Sequence, residues 1–301
     1  MRTKILLFFV VISIFIRCKS HNSEILNIPG SIFQYTLEGN GPYIVTFTGS
    51  ENLGRSLYSN RLRDHVTFIH ADPQLMAASS LDTLTMNSVI DDIERVRLYL
   101  GVERISIMGH SMFGPVPLEY ALKYPEHTKW SILSGALPFT TKLAFDLSRA
   151  YWDSSATLER KAIRDENLRH LLNDTVNKSI SEKFWDQYKA DVPMRFADPN
   201  FDMSGLEEAG RGSTNMAFVN RFWGVVLNNY DNSSKYQGIN TPVLVISGKY
   251  DFGAPYFLWK DFGKNMPDYT FHIFEDAGHN PMLEVPDKFD QLLIDWISSH
   301  K

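Results

Sequence analysis

The sequence predicts an α/β fold: a doubly wound, mostly parallel sheet with helices on both faces and a helical insertion. Two observations support this prediction. Short apolar runs typical of buried strands alternate along the chain with segments whose apolar residues recur at helical spacing. The alternation stops between about residues 139 and 236, where helix-forming and aromatic residues dominate. We therefore expect one α/β unit that is interrupted by a mostly helical segment.

Seven segments have the apolar or alternating pattern of strands. These predicted strands span residues 32–37, 43–47, 66–69, 105–108, 130–133, 242–246 and 269–274. Between residues 88 and 100 the apolar side chains recur at helical spacing, and Gly101 ends this predicted helix. Further helices are predicted after Ser111 and over residues 289–297.

The N-terminus has the pattern of a targeting signal. Arg2 and Lys4 precede an apolar run, residues 5–16, that has signal-peptide length and is short for a membrane-spanning helix. Cys18 lies just beyond this run, and the segment resembles a bacterial lipoprotein signal. We expect a signal over residues 1–18, lipidation of Cys18, a polar tether over residues 19–30, and a place in the bacterial cell envelope. An uncleaved anchor, or a periplasmic or secreted protein with an unmodified cysteine, stays open.

Length and charge narrow the class of protein. A chain of 301 residues with 44% hydrophobic and 22% charged residues can bury a large core. The net charge is −5, and removing residues 1–17 with their three basic side chains moves it to −8. Nucleic acid is therefore not an expected partner, because phosphate binding needs a basic surface. A single cysteine leaves no internal disulfide to stabilise the fold.

The candidate site begins where the strand over residues 105–108 ends. Gly109 and His110 are followed by Ser111 and then by a helical pattern, which places the serine on a sharp turn between strand and helix. Asp251 follows the strand over residues 242–246, and His279 follows the last strand. The chain order Ser, Asp, His is typical of one class of serine hydrolases.

These motifs resemble those of the α/β-hydrolase fold superfamily over about residues 32–297, and in particular the proline-iminopeptidase-like bacterial hydrolases. The resemblance extends to several further stretches, at residues 118–126, 151–153, 159–163, 197–202 and 222–225. It implies that residues 31–138 and 237–301 form the hydrolase core. It also implies that residues 139–236 form a helical cap over the carboxyl ends of the strands and set the shape of the pocket.

The chemistry of acyl transfer assigns a role to each of the three residues. Ser111 is the expected nucleophile, and its weakly acidic hydroxyl needs a base, His279, within hydrogen-bond reach. Asp251 is expected to hold the imidazole in one tautomer and to stabilise the imidazolium. Asp276 and Asp231 are rival acids, but Asp251 fits the position of the acid in the family.

The oxyanion hole needs two backbone N–H groups. Met112, directly after the nucleophile, is expected to supply one. Ser50, in the loop after the strand over residues 43–47, is expected to supply the other, although it could simply begin a polar turn. Family members carry His-Gly in that loop, where this chain has Thr48 and Gly49.

Three residues are candidates for substrate contact. Phe113 stands where the nucleophile turn normally has a small residue, so it must either point sideways into the core or shift the turn. Glu207 and Glu208 could meet a free amine of the substrate, as acids do in proline iminopeptidases, or could simply be solvated. His110 is expected to pack beside the site rather than to take part in catalysis.

No metal or cofactor is expected. The sequence lacks a histidine pair at helical ligand spacing, a glycine-rich phosphate loop and a dinucleotide-binding fingerprint.

The leading hypothesis is a serine hydrolase that cleaves a small or mid-sized ester or amide through an acyl-enzyme. The expected partners are a small-molecule or short-peptide substrate and, through Cys18, a membrane; the oligomeric state stays open. A prolyl-type aminopeptidase is the narrower alternative, and a C–C bond hydrolase or lyase uses the same fold and triad. A ligand-binding lipoprotein with slow turnover is the alternative outside this class.

Overall fold

A computed structural model of the chain describes residues 23–47, 51–73, 76, 81–174, 176–211, 214–260 and 262–300. The predicted signal with Cys18, and the predicted oxyanion residue Ser50, lie outside these described residues. The helices among the described residues include none that is both long enough and apolar enough to cross a bilayer.

An eight-stranded sheet runs through the described part of the chain. The strands are β1 (Glu24–Leu26), β2 (Gln34–Gly39), β3 (Tyr43–Phe47), β4 (Thr67–Asp72), β5 (Ile105–His110), β6 (Thr128–Ser134), β7 (Val243–Gly248) and β8 (Tyr269–Phe274). Their order in the sheet is β1-β2-β4-β3-β5-β6-β7-β8. β1 and β2 pair antiparallel with their neighbours, whereas β3 to β8 run parallel. Because β5 lies in the middle of this order, the residue that follows it lies at the centre of one sheet edge.

Helices fill most of the connections between the strands. They are α1 (Glu51–Leu57), α2 (Asn60–Arg63), α3 (Met86–Leu100), α4 (Pro115–Lys123), α5 (Lys142–Ser155), α6 (Leu158–Asn173), α7 (Ile180–Ala190), α8 (Val192–Arg195), α9 (Ser204–Gly210), α10 (Met216–Arg221), α11 (Pro281–Glu284) and α12 (Pro286–Ser299). A single π-helical turn, Phe222–Val226, continues α10. The helices from α5 to α10 all lie between β6 and β7, where the sequence predicts a helical insertion.

The alternation of side chains along β3 explains why helices cover both faces of the sheet. Ile44 packs on one face with Phe289 and Leu293 of α12, whereas Val45 packs on the other face with Val89 of α3. A strand sends successive side chains to opposite faces, so a strand that is apolar at every position must be covered twice. Burial of each large apolar side chain contributes about 1.5–3 kcal/mol, and this double layer holds the strand ends in place.

The predicted tether needs one correction. It was expected to run to residue 30, but residues 24–26 form β1 and pair antiparallel with β2. Leu26 is buried in the same apolar cluster as Phe33, whereas Glu24 and Ile25 are exposed. A strand of three residues is too short to show an alternating pattern in the sequence. Only its pairing with β2 in the folded chain identifies it as a strand.

Candidate active site

Ser111 occupies a sharp turn between β5 and α4. Its φ angle is 55°, in the left-handed region that residues with a side chain rarely adopt. Small neighbours make the turn sterically possible. A Cβ on Gly109 would lie 2.2 Å from the carbonyl oxygen of Phe113, and a Cβ on Gly114 would lie 2.2 Å from Cβ of Ala136. The turn therefore holds the serine in a strained backbone conformation beyond the end of β5.

Three side chains from three strand ends form one hydrogen-bonded series. The hydroxyl of Ser111 donates to Nε2 of His279 at 2.9 Å, and Nδ1–H of His279 donates to Oδ2 of Asp251 at 2.7 Å. Asp251 is fully buried and His279 is 4% exposed. The structure thus brings together the three residues that the sequence singled out, with the imidazole between the hydroxyl and the carboxylate.

The second oxygen of Asp251 is also occupied. Oδ1 accepts the backbone N–H groups of Gly253 at 3.0 Å and Ala254 at 2.8 Å. The rival acids have other partners: Asp276 pairs with Lys288, and Asp231 accepts the backbone N–H of Ser233. Among these three carboxylates, only Asp251 touches His279.

A cavity of about 570 Å³ opens over Ser111 and His279. The ends of the strands and the loops after them supply its floor, which includes Met112, Gly135 and Ala254. Helices α5, α6 and α8 and the π-helical turn supply most of its wall. These wall residues are Phe145, Ser148, Arg149, Trp152, Asp153, Arg164, Met194, Arg195 and Trp223. The helical insertion therefore shapes the space above the serine.

Phe113 and the two cap glutamates do not line this cavity, which corrects their assignment as substrate contacts. Phe113 points into the core, where its ring stacks on Phe47 at 4.8 Å and on Phe222 at 5.3 Å between centroids. The ring fits between β3 and the π-helical turn, and the hydroxyl of Ser111 still lies 2.9 Å from Nε2 of His279. Glu207 forms ion pairs with Arg211 and Lys189, and Glu208 is exposed.

The oxyanion candidates are only partly described. Met112 follows Ser111 directly and lines the cavity. Ser50 lies outside the described residues, so its assignment stays a prediction. No group of three or more metal-ligating side chains occurs in the part of the chain that the structure describes.

Comparison with known proteins decides the family. Residues 58–286 match the sequence model of the family described as alpha/beta hydrolase fold, which is more than half of the chain. The chain belongs to the α/β-hydrolase family. This α/β-hydrolase is 28% identical over 275 residues to the AB hydrolase superfamily protein YclE of Bacillus subtilis, covering 87% of this chain and 94% of that protein. It is 25% identical over 225 residues to a proline iminopeptidase of Lactobacillus delbrueckii subsp. bulgaricus, covering 71% and 72%.

Solved structures of similar proteins have the same fold. An α/β fold family hydrolase from Bacillus anthracis is 25% identical, with a TM-score of 0.69 over 91% of this chain and 99% of that one. A proline iminopeptidase from Mycobacterium smegmatis is 18% identical, with a TM-score of 0.70 over 93% and 98%. The protein is therefore a hydrolase with a mostly parallel sheet and helices, as the sequence predicted.

His110, which precedes the serine, packs beside the imidazole of His279 at 5.0 Å between ring centroids. Its Nδ1 lies 2.9 Å from the carbonyl oxygen of Ser134, and its Nε2 lies 3.2 Å from Oδ1 of Asn280. Burial, together with the neighbouring His279, lowers the pKa of His110 to about 3. His110 is therefore neutral at ordinary pH and does not oppose a positive charge on His279.

A short segment of the helical insertion, residues 193–197, supports the loops that carry Asp251 and His279, and we call this segment the brace. The backbone N–H of His279 donates to the carbonyl of Arg195 at 2.5 Å, and that of Phe252 donates to the carbonyl of Met194 at 3.0 Å. The buried guanidinium of Arg160 stabilises the segment by donating hydrogen bonds to the carbonyls of Pro193, Phe196 and Ala197. Sequence patterns gave no sign of this brace, because its acceptors are main-chain carbonyls.

Glu284 is a second residue that the sequence analysis missed. Its carboxylate accepts the backbone N–H groups of Ala197 at 2.6 Å, Gly278 at 2.9 Å and Asn280 at 3.1 Å. It therefore joins the brace to the loop of His279. Burial raises the pKa of Glu284 to about 7, although the three N–H groups act in the opposite direction.

We predict that Glu284 makes stability depend on pH. Its folded pKa of about 7 lies above the ordinary value of 4.5, so the native state holds the proton more tightly than the unfolded state. This contribution is complete below about pH 4.5 and is lost as the pH rises to about 7. The free energy of unfolding of the wild type, relative to Glu284→Gln, should fall by up to ~3 kcal/mol over that range. Urea unfolding at several pH values measures it.

Glu275→Gln is the control, because this exposed glutamate pairs with Lys249 at the surface. It reports pH effects that are common to the whole chain. A difference between wild type and Glu284→Gln that stays constant, or grows, from pH 4.5 to 7 would contradict the account of Glu284.

Proposed function

We propose that this α/β-hydrolase is a serine hydrolase that cleaves a small or mid-sized ester or amide through an acyl-enzyme. The observation that carries the proposal is the series from Ser111 through His279 to Asp251, with bonds of 2.9 and 2.7 Å at the floor of a cavity. A cavity of about 570 Å³ lies within the ~300–1,000 Å³ typical of small-molecule sites, which supports a substrate of that size.

Acylation begins at Ser111. As its Oγ attacks the carbonyl carbon, the hydroxyl proton passes to Nε2 of His279 and the carbonyl oxygen takes the negative charge. The tetrahedral intermediate then collapses, and His279 returns the proton to the leaving alcohol or amine. In deacylation, a water molecule attacks the acyl carbon as its proton passes to His279. The bond between that carbon and Oγ of Ser111 then breaks, His279 returns the proton to Oγ, and the acid is released.

The surroundings of His279 suit this cycle. Asp251 fixes the tautomer in which Nε2 is free to accept a proton, and it stabilises the imidazolium that results. Its Oδ1 is already occupied by two backbone N–H groups, so its orientation is set before substrate arrives. His110 stays neutral beside the imidazolium.

The negative charge that develops on the carbonyl oxygen of the substrate must be stabilised by hydrogen bonds from backbone N–H groups. We assign one to the N–H of Met112, which follows Ser111 at the floor of the cavity. We assign the other to Ser50 on the basis of its place after β3, the strand next to β5. Each such donor typically contributes about 2.7–4 kcal/mol to stabilising the transition state.

A fluorophosphonate probe tests the proposal, because it reacts with activated serines. We predict labelling of the wild type and none of Ser111→Ala or His279→Ala. Asp251→Asn should label about 10³–10⁴-fold more slowly, since the wrong tautomer of His279 is then favoured. The rate of labelling, followed by in-gel fluorescence with each variant shown to be folded by circular dichroism, is the measurement.

Asp276→Asn is the matched control for the acid. Asp276 lies three residues before His279 but pairs with Lys288, so its loss should leave the labelling rate within a factor of about two. A folded wild type that does not label would favour the binding-protein alternative. Equal slowing in both asparagine variants would contradict the assignment of Asp251.

A prolyl-type aminopeptidase is the second candidate, supported by the similarity to proline iminopeptidases. Such an enzyme needs an acid for the free amine of its substrate. Neither Glu207 nor Glu208 lines the cavity, whereas Asp153 on α5 does. Asp153 is exposed, and the described residues give its carboxylate no ion pair. We therefore place the amine, in this version of the function, at Asp153.

For this second candidate, Asp153→Asn should raise KM for proline 4-nitroanilide about tenfold, because the charged contact with the amine is lost. The slow turnover of an N-blocked proline 4-nitroanilide should be the same in the variant as in the wild type. Steady-state kinetics on the two substrates measures the difference. Equal turnover of blocked and free substrates by the wild type would rule out the aminopeptidase and leave the broader proposal intact.

Attachment to a membrane through Cys18, and a location in the bacterial cell envelope, remain proposals from the sequence pattern alone.

A further inference from the structure

Three arginines line the cavity, and two of them already have acidic partners. Arg149 lies 3.8 Å from Asp146 and is mostly exposed at the rim. Arg164 pairs with Asp191 at 2.8 Å. Their charges are therefore balanced within the helical insertion itself.

Arg195 differs from both. No described carboxylate forms an ion pair with it, and its Nε is buried without a hydrogen-bond partner among the described residues. Its guanidinium lies 4.5 Å from the centre of the Tyr188 ring, a stacking contact that occupies one face. The N–H groups around the edge of a guanidinium are not used by such a contact.

The position of Arg195 relates it to the reacting groups. Its carbonyl accepts the backbone N–H of His279, so the residue is fixed on the histidine side of the cavity. Tyr188, under the guanidinium, bonds to the side chain of Asn280, the residue after His279. The backbone and the stacking surface of Arg195 are therefore both tied to the loop that carries the base.

The Nε–H of Arg195 is closed to solvent, so the donors that a substrate in the cavity can reach are those on the two terminal nitrogens, Nη1 and Nη2, for which the described residues provide no acceptor. A substrate anion would supply that acceptor and balance the charge of the guanidinium. Arginine suits a carboxylate in particular, since two parallel N–H groups match its two oxygens.

We propose that Arg195 binds a carboxylate of the substrate, so that the enzyme acts on monoanionic esters or amides. This inference rests on the proposed function, because it concerns the same cavity. The carboxylate belongs either to the acyl chain, as in a dicarboxylic acid monoester, or to the leaving group. Both sources present the same chemistry to Arg195, and the experiment below separates them.

Two pairs of chromogenic esters test the proposal, each pair differing only in charge. For the acyl chain, mono(4-nitrophenyl) adipate is compared with its methyl ester. For the leaving group, 5-acetoxy-2-nitrobenzoate is compared with its methyl ester. The quantity measured is the ratio of kcat/KM for the anionic ester to kcat/KM for the neutral one, in the wild type and in variants.

Arg195→Gln should lower this ratio about ten- to a hundredfold in one of the two pairs, mainly through KM, because a charged hydrogen bond is lost. The pair that responds identifies the source of the carboxylate. Arg195→Lys should restore part of the ratio, since it keeps the charge and loses the paired donors. Arg149→Gln is the matched control: a cavity arginine that has a partner, whose loss should change the ratio less than about threefold.

Three results would overturn the proposal. One is a ratio that Arg195→Gln leaves unchanged in both pairs, which would mean that Arg195 serves only to pack on Tyr188 and the loop of His279. Another is an equal fall in Arg149→Gln, which would mean a diffuse field rather than a site. The third is a wild type that hydrolyses the neutral ester of each pair better than the anionic one.

Binding measured without turnover separates failure of this inference from failure of the proposed function. In Ser111→Ala, two monoanions serve as probes: monomethyl adipate for a carboxylate on the acyl chain, and 3-hydroxybenzoate for a carboxylate on the leaving group. Their neutral methyl esters, dimethyl adipate and methyl 3-hydroxybenzoate, serve as controls. We expect saturable quenching of tryptophan fluorescence, since Trp152 and Trp223 line the cavity, by one of the two anions only. The quenching should disappear in the double variant with Arg195→Gln. If neither anion binds saturably, the inference is overturned, even where the fluorophosphonate labels Ser111.

Discussion

The hydrogen bonds from Asp251 to His279 and from His279 to Ser111 are the interactions on which the account of this protein depends. They join residues that lie 28 and 168 positions apart in the chain, and only a sheet with neighbouring parallel strands brings them to one edge. Each bond also limits the chemistry. The carboxylate of Asp251 selects the tautomer of His279, and that tautomer leaves Nε2 available to the hydroxyl of Ser111.

The helical insertion shapes the cavity and also supports these bonds. The carbonyls of Met194 and Arg195 accept N–H groups from the loops of Asp251 and His279, and Arg160 and Glu284 hold that brace in place. Phe113 adds a further contact between the nucleophile turn and the insertion, through Phe222. Substitutions in the insertion can therefore change the geometry of the reacting groups without touching the substrate.

Much of this arrangement could be predicted from the sequence. Ser111, Asp251 and His279 each follow an apolar run, and parallel strands end at the same edge of a sheet, so their meeting follows from local patterns. The bounds of β3 and β8 agree with the predicted segments because each strand coincides with a run of apolar or alternating residues. The direction of the Phe113 ring could not be chosen in advance, because it depends on space left by Phe47 and Phe222.

The rest of the site depends on packing that no local pattern records. Glu207 and Glu208 were candidates either for substrate contact or for solvated surface charges, and Glu207 instead forms ion pairs with Arg211 and Lys189. Glu284 and Arg195 resemble ordinary surface charges in the sequence. Their importance comes from burial and from backbone partners on distant segments, which only the folded chain defines.

Partitioning of the product between water and methanol tests the central claim, a covalent acyl intermediate on Ser111, most directly. Esters of one acyl group with different leaving groups would be hydrolysed in dilute methanol, and the ratio of methyl ester to acid measured. A common acyl-enzyme predicts the same ratio for every leaving group, with no turnover in Ser111→Ala. A ratio that varies with the leaving group would show that water attacks the substrate directly, and would contradict the account.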